Sequence, residues 1–159
     1  FLSLTFRYFT CLLDKGHIKE YRKYYKICDA LPFAFTDIEI VFNEEKKAVD
    51  WIFRYGNEAL AALEKQPLDK MIGSSFSSLF SNMDAKWLHV YERATLYGET
   101  LEIMDYSPEI DTNLKIICFP TFPGHCGCIL FNADKMKSIS EENHLVRLVE
   151  VSMKNNSSK

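Results

Sequence analysis

The residues with the greatest potential for chemistry lie close together late in the chain: His125, Cys126 and Cys128. On a strand the two cysteines would point to the same face, but two thiols and one imidazole do not complete a tetrahedral metal site. Redox sensing would need a low thiol pKa, and His125 is the only flanking base. The pattern favours small cysteines packed on a buried strand, and we expect neither a metal site nor a resident cofactor.

Signatures of catalysis are otherwise missing. The sequence has no G-x-S-x-G, H-E-x-x-H, Walker or dinucleotide-binding motif. Asp105, Glu109 and Asp111 lie near one another in the sequence, but acidic residues around a turn are usually solvated. We therefore predict no catalytic residue and no enzyme activity, and an enzyme of another α+β fold is the weakest alternative.

Composition narrows the class of partner. The 159 residues carry a net charge of −3, which argues against general nucleic-acid binding. Residues 1–28 contain six basic and two acidic residues, a local charge of +4, so the remainder carries −7. Twelve Phe and eight Tyr predict either a thick aromatic core or a cavity walled by rings.

Cysteine usage and the first residues bear on localisation. Five cysteines without framework spacing, and no cleavable signal peptide, predict a reduced, cytoplasmic protein. Residues 1–13 are mostly apolar, but a helix of that length rises only ~20 Å against a hydrocarbon core of ~30 Å. A packing or dimer helix is expected here, and the end of a membrane segment upstream of residue 1 is the alternative.

Helical spacing precedes the first predicted strand. One stripe at steps of three and four consists of Ile18, Tyr21, Tyr25 and Cys28. It predicts a helix that runs to about Ala30. The helix must end there, because Pro32 lacks an amide proton and biases the residue before it toward extended backbone.

A two-residue period then begins. Two groups of alternating side chains are predicted on opposite faces of a strand, Ile38, Ile40 and Phe42 on one and Asp37 and Glu39 on the other. A second strand from Val49 to Tyr55 would close a hairpin. Asn57 is a suitable N-cap for a helix from Glu58 to about Lys65.

The second half predicts helices followed by strands. Short helical turns are expected between residues 68 and 80, with Phe76, Leu79 and Phe80 buried. A helix capped by Asp84 should run to about Tyr97, with Trp87 and Tyr91 facing inward and His89 facing outward. Three strands follow, Glu99 to Tyr106, Asn113 to Phe119 and Cys126 to Phe131, and then a helix from Ser140 to Met153.

These elements predict an α+β fold with a five-stranded antiparallel sheet and helices packed on one face. Residues 1–28 would form an N-terminal helical extension, 29–134 one domain, and 135–159 a C-terminal helix and tail.

Several short motifs in this order resemble a PAS domain. They are Asp29-Ala30-Leu31-Pro32 before the first strand, Asn57-Glu58-Ala59-Leu60 at the first inner helix, Ile72-Gly73 before the turn of Phe76, Leu79 and Phe80, and Gly98 followed by Glu102. The chain is especially similar to PAS-like input domains of bacterial signalling proteins, which often precede cyclase, phosphodiesterase or histidine-kinase domains. Those catalytic motifs do not occur in this sequence. One departure is Phe131-Asn132-Ala133-Asp134, where PAS domains commonly have an Asp-hydrophobic-Thr triad.

The resemblance implies a sensor and limits its cofactors. Haem-binding PAS domains place their ligand on the long helix, but His89 is predicted on its polar side. Photoactive flavin domains need a cysteine among the short helices, and none lies between Cys28 and Cys118. A small apolar or aromatic ligand, or a protein partner, is therefore expected, together with a homodimer formed by flanking helices and an output domain outside this chain.

The candidate ligand site is the inner face of the long helix and the elements around it. We predict that the pocket is lined by Phe76, Leu79, Trp87, Tyr91, Ile116 and Cys118. The same residues could simply fill a solid core. An interaction or dimerisation module with a filled core therefore stays open beside the ligand-binding sensor.

Overall fold

A computed structural model describes residues 18–136 and 151–155. The predicted helix over the first thirteen residues lies outside the described part of the chain. So does most of the predicted helix from Ser140 to Met153, of which residues 151–153 are described and are helical.

Five strands form a single antiparallel sheet. They are β1 (Ala34–Phe42), β2 (Ala48–Gly56), β3 (Leu101–Ser107), β4 (Thr112–Pro120) and β5 (His125–Asn132), and their order across the sheet is β2-β1-β5-β4-β3. The hairpin-linked pairs follow from the sequence, because polar turns separate runs with a two-residue period. The predicted five-stranded sheet, with two strands from the first half of the chain and three from the second, is confirmed, and its strand ends differ by one or two residues.

Helices occupy the connection between β2 and β3. They are α1 (Glu58–Glu64), α2 (Leu68–Met71), α3 (Phe76–Leu79) and α4 (Ala85–Tyr97). As predicted, the Asn57 and Asp84 side chains cap α1 and α4 by accepting hydrogen bonds from the amides of Leu60 and Lys86. Gly98 ends α4 at a φ of 66°, a left-handed conformation that glycine adopts without steric cost.

The main core lies between these helices and one side of the sheet, which we call the helix face. Its buried side chains include Ile38 and Trp51 from the first hairpin, Ile116 from β4, and Trp87 and Tyr91 from α4. A second, smaller cluster contains Phe35 and Tyr55. Phe35 and Ile38 are separated by an odd number of positions on β1, so alternation puts them on opposite sides of the sheet.

The second cluster is covered by residues 18–30, which we call the N-terminal segment. Residues 18–24 are helical, and a 3-10 helix follows at Lys26–Ala30. Tyr25 is buried against Phe35 and Tyr55, and Tyr21 and Cys28 pack beside them. Three residues of the predicted stripe, Tyr21, Tyr25 and Cys28, therefore pack together, whereas Ile18 is not part of this cluster and lies near Gly73. The N-terminal segment lies on the side of the sheet that faces away from α1 to α4. We call this side the opposite face.

Candidate functional site

The helix face carries a cluster of stacked and edge-on rings. The Trp51 ring centroid lies 4.1 Å from that of Phe76 and 5.1 Å from that of Tyr91. Trp87 and Tyr91 are only 3% and 4% exposed, because a spacing of four residues places both on the inner side of α4. The outward prediction for His89 is also correct, since that residue is exposed.

A small cavity lies among these rings. Its volume is about 20 Å³, and it is lined by Trp51, Glu64, Phe76, Trp87, Tyr91, Ser107, Glu109, Leu114, Ile116 and Leu130. A void of this size has room for one water molecule. The aromatic core is therefore almost filled, and only a very small group fits without displacing a side chain.

Four of the six residues predicted to line a pocket do line this cavity, and the other two, Leu79 and Cys118, do not. Phe76, Trp87, Tyr91 and Ile116 line the cavity. Cys118 is fully buried in the same core, but it is not among the lining residues. Leu79 and Phe80 are only half-buried, contrary to their predicted burial, because α3 is a single turn and ends at the edge of the core.

Glu64 is the unexpected member of the cavity wall. It is 8% exposed, and no hydrogen bond or ion pair joins its carboxyl to another described residue, although neither of its oxygens is among the fully enclosed atoms that lack a partner. Burial, assisted by repulsion from Glu109, raises the pKa of Glu64 to about 7. A buried carboxyl without a partner lowers stability when it is ionised, so packing alone does not account for its presence.

Two further polar residues lie beside Glu64. Ser107 is buried, and its hydroxyl donates to Oε2 of the half-buried Glu109. The other oxygen of Glu109 accepts from the Asp84 amide at 3.3 Å. The prediction that the acidic residues of this region are solvated is therefore wrong for Glu109, whereas Asp105 and Asp111 are exposed.

Glu64 was not predicted as a site residue, and Glu109 was expected to be solvated, although the sequence around Glu64 does indicate its burial. Glu64 follows Leu60 by four positions, and Leu60 is fully buried on α1. That spacing puts both side chains on the same side of a helix. Glu109 left no such signal, because it lies in a connection whose path depends on the tertiary fold.

The opposite face holds a buried polar network centred on Asp37. This carboxyl is completely buried, and it accepts hydrogen bonds from the Tyr25 hydroxyl and, at 2.8 Å, from Nδ1 of His125. The Tyr21 hydroxyl lies 3.3 Å from Nε2 of the same imidazole. Two strands are thus joined to the N-terminal segment through one carboxylate.

The donor pattern of this network follows from its chemistry. An ionised carboxylate only accepts, so Nδ1 of His125 carries a proton, and in the neutral ring Nε2 accepts from Tyr21. Burial, together with the hydrogen bond to Asp37, raises the pKa of Tyr25 well above its ordinary value. Burial likewise raises the pKa of Tyr21. Both tyrosines are neutral donors, which suits a structural link better than a nucleophile.

Two backbone features shape the opposite face around this network. β2 has a bulge, because Asp37 and Ile38 pair with Tyr55 and Phe53, so that the strand register skips Arg54. The extra residue turns Tyr55 onto the side of the sheet that carries Asp37. On β5, a Cβ atom at Gly127 would lie 2.7 Å from Cζ of Phe119, so only glycine allows that ring its position.

The cysteines behave as core residues. Cys118, Cys126 and Cys128 are buried on the helix face, so the prediction that the last two share a face is confirmed. Burial raises the pKa of Cys118 to about 12 and that of Cys128 well above its ordinary value. These two thiols are therefore protonated and poorly nucleophilic. Within residues 18–136 and 151–155, no group of three or more His, Cys, Asp or Glu side chains is arranged to hold a metal ion.

Two larger depressions of about 400 Å³ each lie elsewhere. One is bordered by Arg22, Asp29, Arg54 and Asp69 among others, and Arg54 is already paired with Glu39 at 2.6 Å. The other is bordered mainly by small and apolar residues of α1, β1 and β5. Among the described residues, neither depression is lined by a fully enclosed polar side-chain atom that lacks a hydrogen-bonding partner.

No protein-family model and no curated protein matches this chain. None of the helices in the described part of the chain has the length and apolar character needed to cross a lipid bilayer.

Proposed function

We propose that this chain is a PAS-like sensory input module that binds a small ligand on the helix face and passes the event to its N-terminal segment. The observation that carries the proposal is the cavity beside Glu64. An aromatic core built only for stability would place an apolar side chain there, because an unpaired buried carboxyl costs free energy. Binding sites, by contrast, often keep such groups ready for a ligand.

Several features of the fold support the PAS-like part of this proposal. The single antiparallel sheet, the short helices around Gly73 and the buried aromatic pair of α4 agree with the arrangement that the resemblance implies. Asn57 also has a structural role in addition to its cap, because its amide donates to the carbonyl oxygens of Cys28 and Phe33. It thereby joins α1 to the N-terminal segment.

Strands β1 and β5 offer a route for the signal, because each contributes side chains to both faces of the sheet. Ile38 and Cys126 are neighbours in the β1–β5 pairing, and both lie in the helix-face core. Adjacent positions on these two strands, Asp37 and His125, hold the N-terminal segment. A ligand that shifts the strands on one face would thus change hydrogen bonds on the other.

At the position of the Asp-hydrophobic-Thr triad that PAS domains commonly have, the end of β5 forms local hydrogen bonds. Asn132 accepts from the amide of Lys135, and Asp134 accepts from the side chain of Asn113, both at 3.1 Å. These bonds tie the end of β5 to β4 and to the helical residues after it. In this proposal the Asp37 network is the main coupling element, and the end of β5 is a secondary one.

An interaction or dimerisation module with a filled core is the second candidate. It is favoured by the small size of the cavity and by exposed apolar residues on the N-terminal segment, since Tyr24 and Ile27 are 68% and 84% exposed. Exposed side chains of this kind are typical of surfaces that pack against a partner. A homodimer through this segment is compatible with either candidate.

A thermal-shift screen of small molecules, with native mass spectrometry of the purified chain, separates the two candidates. We expect at least one compound to raise the melting temperature of the wild type by roughly 4 °C or more at saturating concentration. Ile116→Phe adds volume at the cavity wall and should abolish the shift. The matched change Ile117→Phe lies on the other side of β4 and should preserve it.

Failure of every compound to distinguish the wild type from the Ile116→Phe variant would refute the sensor proposal. A stable dimer mass without a bound small molecule would then favour the interaction module. Circular dichroism of both variants shows whether each is folded before the comparison is made.

A further inference from the structure

The ionisable groups that line the cavity are all acidic. Two carboxyl groups, Glu64 and Glu109, belong to its wall, and none of the described lining residues is Lys, Arg or His. Lys86, which precedes Trp87 on α4, is not among the lining residues, and its ammonium group is held by oxygen atoms outside the cavity. It lies 3.1 Å from Asp84, 3.5 Å from Asp105 and 2.6 Å from the carbonyl oxygen of Tyr106. The cavity therefore lacks a positive charge of its own.

The remaining wall suits a cation better than a neutral molecule. Four of the lining residues are aromatic, Trp51, Phe76, Trp87 and Tyr91. The faces of such rings carry negative potential and attract ammonium groups. Trp87 already shows this behaviour, because Nζ of Lys86 lies 5.0 Å from its ring centroid.

Glu64 provides an independent argument. Its side chain is more than nine-tenths buried, lines the cavity and has no hydrogen-bonding partner within the described residues. A neutral apolar ligand would leave that carboxyl unpaired and would bury it further. A ligand that donates hydrogen bonds and carries a positive charge would pair it.

The size and the number of oxygen ligands limit the kind of cation. About 20 Å³ accommodates a group the size of a water molecule or an ammonium ion. Calcium prefers six to eight oxygen ligands, and magnesium demands a regular octahedron, so two carboxyls and one or two hydroxyls are a poor site for either ion.

We infer that the cavity beside Glu64 receives the ammonium group of a small organic amine, paired with Glu64 and Glu109 and enclosed by the aromatic rings. This inference rests on the proposed function, since it names the ligand class of the same site. It differs from the apolar or aromatic ligand that the sequence predicts, because that prediction did not include Glu64 or Glu109 in the site.

The chain contains a built-in reporter for the test. It has two tryptophans, and both line the cavity. Methylammonium chloride is titrated into the purified full chain at constant ionic strength, with sodium chloride in the reference titration, and tryptophan fluorescence is recorded. Methanol serves as the uncharged probe of similar size, and benzene, which does not absorb at the wavelength that excites tryptophan, serves as the neutral aromatic probe.

We expect a saturable change with methylammonium, with an affinity no tighter than roughly millimolar for so small a ligand. Glu64→Gln should weaken this affinity by at least about tenfold, because the charged partner is lost. The matched control Glu58→Gln, at an exposed position of the same helix, should change it by less than about twofold.

Three results would overturn the inference, and they separate it from the proposed function. Saturable binding of a neutral probe, without binding of methylammonium, refutes the amine and leaves a ligand-binding module. Equal affinities in the Glu64→Gln and Glu58→Gln variants also refute the amine site. No saturable change with any probe contradicts both the amine and the small-molecule pocket.

Discussion

The substitution Glu64→Gln keeps the shape of the side chain and removes its titration, so it isolates the cost of burying this carboxyl. Burial and the neighbouring Glu109 raise the pKa of Glu64 from an ordinary value of 4.5 to about 7. The folded state therefore binds a proton that the unfolded state has already released between these two values. Stability must fall as pH rises through this window, because the unfolded state gains the advantage of ionisation.

The expected size of the effect follows from the same shift. Each unit of pKa corresponds to about 1.4 kcal/mol, so the ionised form of Glu64 costs the fold roughly 3 kcal/mol above pH 7. At pH 5 the cost is only about 1 kcal/mol, because the folded group is still protonated. The difference in unfolding free energy between the Glu64→Gln variant and the wild type should therefore change by about 2 to 3 kcal/mol, in favour of the variant, as pH rises from 5 to 8.

Urea unfolding at pH 5, 6, 7 and 8 measures this difference. The fluorescence of Trp51 and Trp87 reports the transition, since both rings are buried in the fold. A constant offset from the change of carboxyl to amide does not matter, because only the slope with pH carries the information. Glu58→Gln, an exposed change on the same helix, should leave the slope unchanged.

Parallel curves for the Glu64→Gln variant and the wild type would refute this reasoning. They would mean that Glu64 titrates in the native protein as it does in water, so that the carboxyl is solvated and the cavity is open. The buried phenol and thiols near the site do not imitate the predicted slope. Burial raises the pKa of Tyr91, and those of Cys118 and Cys128, so these groups stay neutral over this range.

Three further predictions concern other parts of the fold. Asp37→Ala should lower the free energy of unfolding by about 3 kcal/mol or more, because it leaves a buried hydroxyl and an imidazole N–H without an acceptor; urea unfolding checks the loss, and faster proteolysis within residues 18–30 checks its location. Gly127→Ala should cost about 1 to 3 kcal/mol, since the new methyl group meets the Phe119 ring; an unchanged urea midpoint would contradict this. In iodoacetamide labelling followed by peptide mass spectrometry, Cys128 should react only after unfolding, whereas the half-buried Cys28 should react earlier; simultaneous labelling would contradict the burial of Cys128.

The strands and helices could be predicted because the chain signals them locally. The two-residue period of β1, the caps at Asn57 and Asp84, and the inward spacing of Trp87 and Tyr91 all depend on neighbours within a few positions. The structure confirms each of them, and the sheet follows once the hairpins are joined.

The polar parts of the structure were harder to predict, because they depend on contacts between distant segments. Nothing near Asp37 in the sequence reveals that residues 18–30 cover it. The bulge at Arg54 is equally hidden, since the alternation of Trp51, Phe53 and Tyr55 looks regular although the last ring turns to the opposite face. The burial of Glu64 was the exception, because its spacing from Leu60 could have shown it.

If occupation of the cavity changes the structure on the other side of the sheet, two-dimensional ¹H–¹⁵N NMR of the full chain will detect the change at both places. A compound that passes the thermal screen is added, and the signals of both tryptophan indoles and of the amides in residues 18–30 are followed. We expect the two sets of signals to shift together with one affinity, and we expect Asp37→Ala to uncouple them. Indole shifts without any change in the N-terminal segment would contradict this expectation.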